Sequence, residues 1–272
     1  MELMYITNNA DIALIAEEAG VDRVWIDLET LGKEERQKGM NTVKSHHSID
    51  DIKKIKPLLT KAKMQVRVNP WNPNSKDEIE QVIAAGAEYI MLPMWMNKKD
   101  VSNFLNAVNG RCKTILLLET KEAFESLDDV LQLKGIDEIH IGLNDLHLSY
   151  HLTFMFELMV NGIVDAIVEK IKKANIPFGI GGVSHLGDGM IPAEMVLLEH
   201  KRLGSTRAIL SRGFCDLNSK DLDIIKKQYI QNMKEFREYE SKLNSVTKEE
   251  IDANHEEFKR RVDMIVEAKK RG

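Results

Sequence analysis

Cysteine is almost missing from this chain of 272 residues: Cys112 and Cys215 are the whole complement. They lie far apart and without C-x-x-C spacing, which argues against a disulfide framework and against a thiolate zinc site. Long apolar runs are missing too. None approaches the roughly 18 residues that a membrane-spanning helix needs, and the residues after Met1 show no basic segment leading into an apolar one. A cytoplasmic protein with no membrane partner is therefore expected. Excess positive charge is also absent. Lys and Arg number 38 against 43 Asp and Glu, a net charge of −5, so no nucleic-acid partner is expected. No repeat at a period of about 20–50 residues and no low-complexity segment interrupts the chain.

What remains is ordinary globular material in a regular order. Hydrophobic residues make up 43% and charged residues 30%, enough for a large core. Short apolar runs alternate with amphipathic stretches. Strands read at 3–7, 23–27, 64–69, 89–92, 115–118, 136–142, 178–180 and 207–210. Residues 115–118 are apolar without alternation, as in a parallel strand covered on both faces. Between them, helical spacing runs over 121–133 and from about 154 to 174, and Ser48 with Asp51 forms a capping-box pattern before a helix at 49–59. Eight such units at this spacing predict an α/β fold, a (β/α)8 TIM barrel with additional C-terminal helices.

Residues 1–217 are read as the barrel core, and 218–272 as the last barrel helix plus a C-terminal helical extension. Ile224, Ile225, Tyr229, Ile230, Met233 and Phe236 form one stripe in that segment. A second stripe, Ile251, Phe258, Val262 and Ile265, has no evident barrel face left to cover. It is therefore expected to form an oligomer contact with a neighbouring subunit.

In such barrels the chemistry sits at the C-terminal ends of the strands. Standing there are Asp27 and Glu29, Arg67 and Asn69, Glu119, Asn144 and Asp145, Gly181 and Gly182, and Ser211 and Arg212. Two successive parallel strands bring Glu119 and Asp145 to one face, where two hard oxygen ligands completed by water suit Mg²⁺ or Mn²⁺. Plainer readings exist: Glu119 starts a helix, Asp145 caps the next, and Arg67 bridges to Asp27 or Glu29. The loops Gly179-Ile-Gly-Gly182 and Ser211-Arg212-Gly213 either hold a phosphate or second carboxylate, gripped by Arg212, or simply permit tight turns. Residues 30–45, with six charged residues and two glycines, are long for a βα turn and read as an active-site loop. Trp71, Met94 and Trp95 fall in loops of the same face, as pocket lining, as an oligomer contact or as packing.

The runs Gly20-Val-Asp-Arg-Val-Trp-Ile-Asp-Leu-Glu29, Val66-Arg-Val-Asn69 and Ala85-Gly-Ala-Glu-Tyr-Ile-Met-Leu-Pro93 resemble the HpcH/HpaI aldolase and citrate lyase family. Leu118-Glu-Thr120 and Ile136-Asp-Glu-Ile-His-Ile-Gly-Leu-Asn-Asp-Leu146 continue the resemblance, which spans roughly residues 10–215. It implies a divalent metal held by Glu119 and Asp145 and chelating a pyruvate-like unit. Arg67 would stabilise the enolate oxygen, and backbone N–H groups near Asn144 and Asp145 would hold the substrate carboxylate. Substrate contacts are expected from Glu29, Asn69, Asn144, Gly181, Gly182, Ser211 and Arg212. The implied activity is that of a metal-dependent carbon–carbon lyase, a class II-type aldolase acting on a 2-oxo acid and an aldehyde partner. A trimer or hexamer of identical subunits is implied as well. An acyl-CoA lyase resembling the citrate lyase β chain, or a barrel that binds an oxo acid without turning it over, are the alternatives.

One departure bears on mechanism. The aldolase branch carries a histidine where this chain has Thr30, and the further aspartate of the citrate lyase branch is also absent. The long polar loop offers His46 and His47, of which His47, beside the Ser48 cap, is the expected acid/base. His147 and His151 are its rivals, and His140, inside the sixth strand, is expected to be a hydrogen-bonded core residue.

Overall fold

The computed structural model describes residues 1–32, 46–214, 219 and 221–271, the Arg212 side chain excepted. Most of the polar loop, from residue 33 to 45, and Cys215 lie outside the described residues. In chain order the elements are β1 (Glu2–Ile6), α1 (Ala10–Glu18), β2 (Arg23–Asp27), α2 (Ile49–Ile55), β3 (Lys63–Arg67) and α3 (Ser75–Ala84). Then come β4 (Tyr89–Leu92), α4 (Lys98–Val108), β5 (Lys113–Leu118), α5 (Lys121–Glu125), α6 (Leu127–Val130), β6 (Glu138–Ile141) and α7 (Leu143–Ser149). The chain continues with α8 (Glu157–Val160), α9 (Ile163–Lys173), β7 (Phe178–Val183), α10 (Ala193–Leu203), β8 (Arg207–Leu210), α11 (Leu222–Lys242) and α12 (Lys248–Arg271). Among the described residues the strands pair in order, all parallel, and β8 returns to β1, so the sheet is a closed eight-stranded barrel.

Local chemistry accounts for many of the boundaries. Asn9 caps α1 by accepting from the amides of Asp11 and Ile12, and Ser48 with Asp51 closes the predicted capping box on α2. Two predicted helices are interrupted. The stretch 121–133 splits into α5 and α6 at Ser126, and the stretch near 154–174 into α8 and α9, where Gly162 takes φ +87°.

Alternation on the strands sorts side chains into two cores. Outward residues such as Val24, Ile26, Val66, Leu116 and Leu118 pack under the helices. Inward residues Met4, Trp25, Met91, Ile115 and Leu117 fill the barrel itself. At the N-terminal floor the filling turns ionic. Arg23, 1% exposed, donates to both carboxylate oxygens of Glu138 at 2.8 and 2.6 Å and also pairs with Glu2. Arg207 reaches Glu138 at 3.2 Å, and the Tyr89 ring lies 3.9 Å beneath the Arg23 guanidinium carbon.

The C-terminal segment bears on the reason given for a subunit contact. Half of the second stripe is buried within its own chain: Phe258 and Val262 of α12 are covered, with Val266 beside them, while Ile251 and Ile265 are partly buried, and Phe258 lies edge-on to Phe156 with ring centroids 5.5 Å apart. Fully buried Glu199 of α10 accepts from Asn254 at 3.1 Å and pairs with His255 at 3.0 Å, which pins α12 across α10. The stripe therefore has a partner within one chain, so it no longer argues for a neighbouring subunit. In α11, Ile225, Tyr229, Met233 and Phe236 are buried, whereas Ile224 and Ile230 point outward. No helix among the described residues is long and apolar enough to cross a membrane.

The floor network yields a stability prediction. Glu138→Gln leaves the Arg23 guanidinium without its bidentate partner, and losing one half of a buried pair costs about 3–5 kcal/mol. Urea unfolding of the variant should show a loss of that size, and replacing Arg23 and Glu138 together by apolar residues should recover much of it. A change under about 1 kcal/mol, the range of exposed pairs, would mean that the floor does not hold the barrel together.

Candidate functional site

The C-terminal ends of the strands enclose a cavity of about 160 Å³. Its polar lining is Arg67, Glu119, His140, Asn144 and Asp145, and its apolar lining is Trp25, Leu117, Leu143, Met155 and Ile209. Gly142, Gly181 and Gly182 complete it. Six residues expected from the sequence thus line one space: Arg67, Glu119, Asn144, Asp145, Gly181 and Gly182. A larger groove of about 660 Å³ opens at the opposite end, beside Cys112, Lys113 and Asp137, away from the strand ends that carry the convergent polar groups.

Arg67 ends β3, and its fork is held by Asp27 at the end of the neighbouring strand. Nε donates to Oδ1 and Nη2 to Oδ2 of Asp27, both at 2.8 Å, and Nη2 lies 3.3 Å from Glu29. The salt bridge read as an alternative from the sequence is therefore present, and the guanidinium still borders the cavity. Burial favours losing its proton, but Asp27, Glu29 and Glu119 outweigh burial and hold its pKa above the ordinary value. The Trp25 ring lies 5.3 Å from the guanidinium carbon, within cation–π range. Two charge-assisted bonds to one carboxylate fix the plane of the fork.

Glu119 directly follows β5 and is 3% exposed. Burial pushes its pKa well above the ordinary carboxylate value, Arg67 opposes this, and Asp145 and Glu29 add to the rise. Its Oε1 accepts from the Met94 amide at 3.1 Å. Met94 takes φ +51°, a region that residues other than glycine rarely enter. Backbone strain of this kind gathers at functional sites. The space beside the carboxylate exists because position 142 has no side chain: a Cβ there would sit 2.9 Å from Glu119 Cβ and 3.0 Å from its Oε2. Gly181, at φ +47°, comes equally close to Leu143.

Other expected residues do different work. Asn69 braces the loop after β2: its Oδ1 accepts from the amides of Thr30 and Leu31 at 2.9 and 3.0 Å, and its Nδ2 donates to Glu78 at 2.7 Å. Glu29 is buried against Arg67, outside the cavity lining. Ser211 donates its amide to Val183 and does not line the cavity either, and the Arg212 side chain lies outside the described residues. Trp95 is core, 1% exposed.

Among the histidines, His47 Nδ1 accepts from the Asp27 amide at 2.9 Å, which brings the ring to the end of β2, outside the cavity lining. An imidazole accepting there is neutral and carries its proton on Nε2. His147 is buried, with Nδ1 3.2 Å from the Leu143 carbonyl of its own helix, and does not line the cavity. His46 and His151 are exposed. His140 is buried as expected, yet it also borders the cavity, its Nε2 3.1 Å from the Gly181 carbonyl.

Hard oxygen donors from Glu119 and Asp145 suit a small divalent cation. Among the described residues no group of three or more His, Cys, Asp or Glu could hold a metal. Two carboxylates leave the other coordination positions to water and ligand, which is how Mg²⁺ is commonly bound. The fit is chemical: burial of Glu119 beside another carboxylate raises its proton affinity, and a cation relieves the same repulsion.

Sequence reasoning passed over Trp25, Leu117, Leu143, Met155 and Ile209, and it named Met94 as lining without its amide bond to Glu119. Trp25 and Leu117 stand two residues before Asp27 and Glu119, on the same inward face, so the period of 2 could have found them. Met155 and the Met94 amide carried no such signal.

The family model HpcH/HpaI aldolase/citrate lyase matches residues 3–179. No curated protein sequence matches the chain. Similar solved structures include an HpcH/HpaI aldolase from Desulfitobacterium hafniense DCB-2, 15% identical, covering 77% of this chain and 85% of that one with a TM-score of 0.60. The citrate synthase SbnG is 17% identical over 78% of this chain and 86% of its own, also at 0.60. An HpcH/HpaI aldolase/citrate lyase family protein from Burkholderia cenocepacia J2315 is 16% identical over 87% and 94%, at 0.59. At these identities the structures speak for the fold.

Buried imidazoles give the protein a pH signature. Burial pushes His140 down to about 4, and His200, buried with Nδ1 3.1 Å from the Ser205 hydroxyl, down to about 3. Unfolded, each titrates near 6.5. Their contribution to stability is therefore full above about pH 6.5 and is lost as pH falls through the folded values. Unfolding free energies from pH 7 to pH 4.5 should decline, and His140→Gln should flatten that decline. Parallel curves for the two proteins would show that His140 takes up its proton without cost.

Proposed function

The chain belongs to the HpcH/HpaI aldolase/citrate lyase family, which supports a lyase or aldolase activity. On that premise we propose that it cleaves or forms the carbon–carbon bond between a small 2-oxo acid and an aldehyde, with Mg²⁺ or Mn²⁺ as cofactor. The observation that carries this reading is the cavity itself: Arg67, Glu119 and Asp145 border one space of about 160 Å³. That is below the roughly 300–1,000 Å³ of pockets for drug-sized ligands, and it suits a compact acid. Glu119 and Asp145 would hold the cation. When bound, such an ion supplies Lewis-acid stabilisation to the oxygens of the oxo acid.

The chain's own residues supply the rest. In the cleavage direction a base takes the proton of the 4-hydroxyl, the C3–C4 bond breaks, the aldehyde leaves, and the enolate is protonated at C3. Negative charge grows on the former keto oxygen. Arg67, its fork fixed by Asp27 before any substrate arrives, meets that charge without reorganising. Asn144 borders the cavity as a further polar contact, and Gly181 and Gly182 keep its wall low enough for the substrate to approach. We assign the proton transfer to His47, which the fold returns to the end of β2 where Thr30 supplies no ionisable group. Taking a proton on Nδ1 requires the ring to release the Asp27 amide, so the transfer is coupled to movement of the ring. A homo-oligomer, trimer or hexamer, belongs to the same proposal.

Two experiments test it. Titration calorimetry with Mn²⁺ should show binding to the wild type and its loss in Glu119→Gln and Asp145→Asn, with circular dichroism unchanged. Undiminished affinity in both variants removes the metal site. For the base, His47→Ala should lower kcat by about 10²–10⁴-fold while Mn²⁺ still binds. His47→Asn keeps an acceptor for the Asp27 amide and should remain as slow. Recovery of activity in the Asn variant would reduce His47 to a brace.

A further inference from the structure

The cavity has one wall that owes its place to the far end of the chain. Met155 lines it from the irregular segment between α7 and α8. Its neighbours Phe154 and Phe156 are both 6% exposed and pack into the helical layer. Their rings meet edge-on at 5.3 Å, and Phe156 meets Phe258 of α12 at 5.5 Å, also edge-on. Phe258 is fully buried. Farther along α12, the Lys269 ammonium sits 4.9 Å from the Phe154 ring centroid. Glu157 closes the segment from below, accepting from the amides of Thr153 and Phe154 at 2.7 Å each. A short irregular segment is thus held at both aromatic residues by one long helix, and the residue between them faces the cavity.

From this arrangement we infer that α12 is a buttress for substrate selection: through Phe258 it holds Met155 as the wall that limits the substituent on the aldehyde partner. The inference rests on the oxo-acid reading of the cavity. The polar groups Arg67, Glu119 and Asp145 suit the carboxylate and keto oxygens common to every 2-oxo acid, so they cannot distinguish one aldehyde from another. Discrimination falls to the apolar lining, Trp25, Leu117, Ile209, Leu143 and Met155. Of these the first three belong to barrel strands. Leu143 opens α7 directly after β6, and Met155 alone stands on an irregular segment, one that needs outside support. The substrate class is a 4-hydroxy-2-oxo acid with a short, unbranched aliphatic end. Met155 acts here as a specificity residue, and Phe258 as a positioning residue that never touches substrate.

The test compares retro-aldol kcat/KM, with Mn²⁺ present, over 4-hydroxy-2-oxo acids whose terminal group grows from methyl to propyl. One methylene in an apolar pocket is worth roughly 10–200-fold in discrimination. Met155→Ala should raise the propyl-to-methyl ratio by at least about 10-fold. Phe258→Ala should move the ratio the same way and speed amide deuterium exchange across residues 152–157, and Phe258→Leu should restore both. An unchanged ratio in Met155→Ala overturns the inference. So does a Phe258→Ala protein that melts earlier with ratio and exchange both unaltered. If the wild type cleaves none of the series, the oxo-acid reading fails and the selection role falls with it. The exchange measurement then still decides whether α12 holds the segment.

Discussion

Charge buried in the barrel mouth is the constraint around which this protein is arranged. Arg67 can stand among apolar side chains only because Asp27 grips it at two points and Glu29 lies 3.3 Å away. That grip in turn fixes the ends of β2 and β3 against each other. Glu119 is a different case. Its burial raises the free energy of the carboxylate, and the nearby Asp145 and Glu29 raise it further. Arg67 and the Met94 amide offset part of that cost without cancelling it. Such a group is primed to be relieved by something that binds.

The opposite end of the barrel shows the same residue types put to structural use. At the floor, Arg23 and Arg207 meet Glu2 and Glu138 within ion-pair distance. Each buried charge there finds its opposite, and the network closes the lumen. At the mouth the charges are arranged around a space. The contrast follows from geometry: a parallel barrel gathers the N-terminal ends of its strands at one end and the loops after them at the other, and the strand-end polar residues that face a common space are those of the second end.

Much of this was readable from residue order. The period of 2 in the strands, the capping pairs and the regular spacing were enough to place Arg67, Glu119, Asn144, Asp145, Gly181 and Gly182 at one end. Asn69 stands at the same end and does something else, because its side chain meets the Thr30 and Leu31 amides before it can meet a ligand. Nothing in residue order distinguishes these outcomes. The α12 stripe was equally visible, and its partner was not. An apolar face announces that it will be covered, and the choice between a neighbouring subunit and the chain's own α10 and Phe156 depends on the path of the turn at 243–247.

By itself, the sequence determined the architecture and the chemistry available to the site, since hydrophobic periodicity and strand-end composition are local properties that survive whatever the rest of the chain does. Only the tertiary structure decided which groups share the cavity. His47 reaches the Asp27 amide across 20 residues, and Met155 is held to the cavity wall by a helix about 100 residues away. Such contacts are set by the closure of the barrel. They join positions whose separation along the chain carries no information about their separation in space.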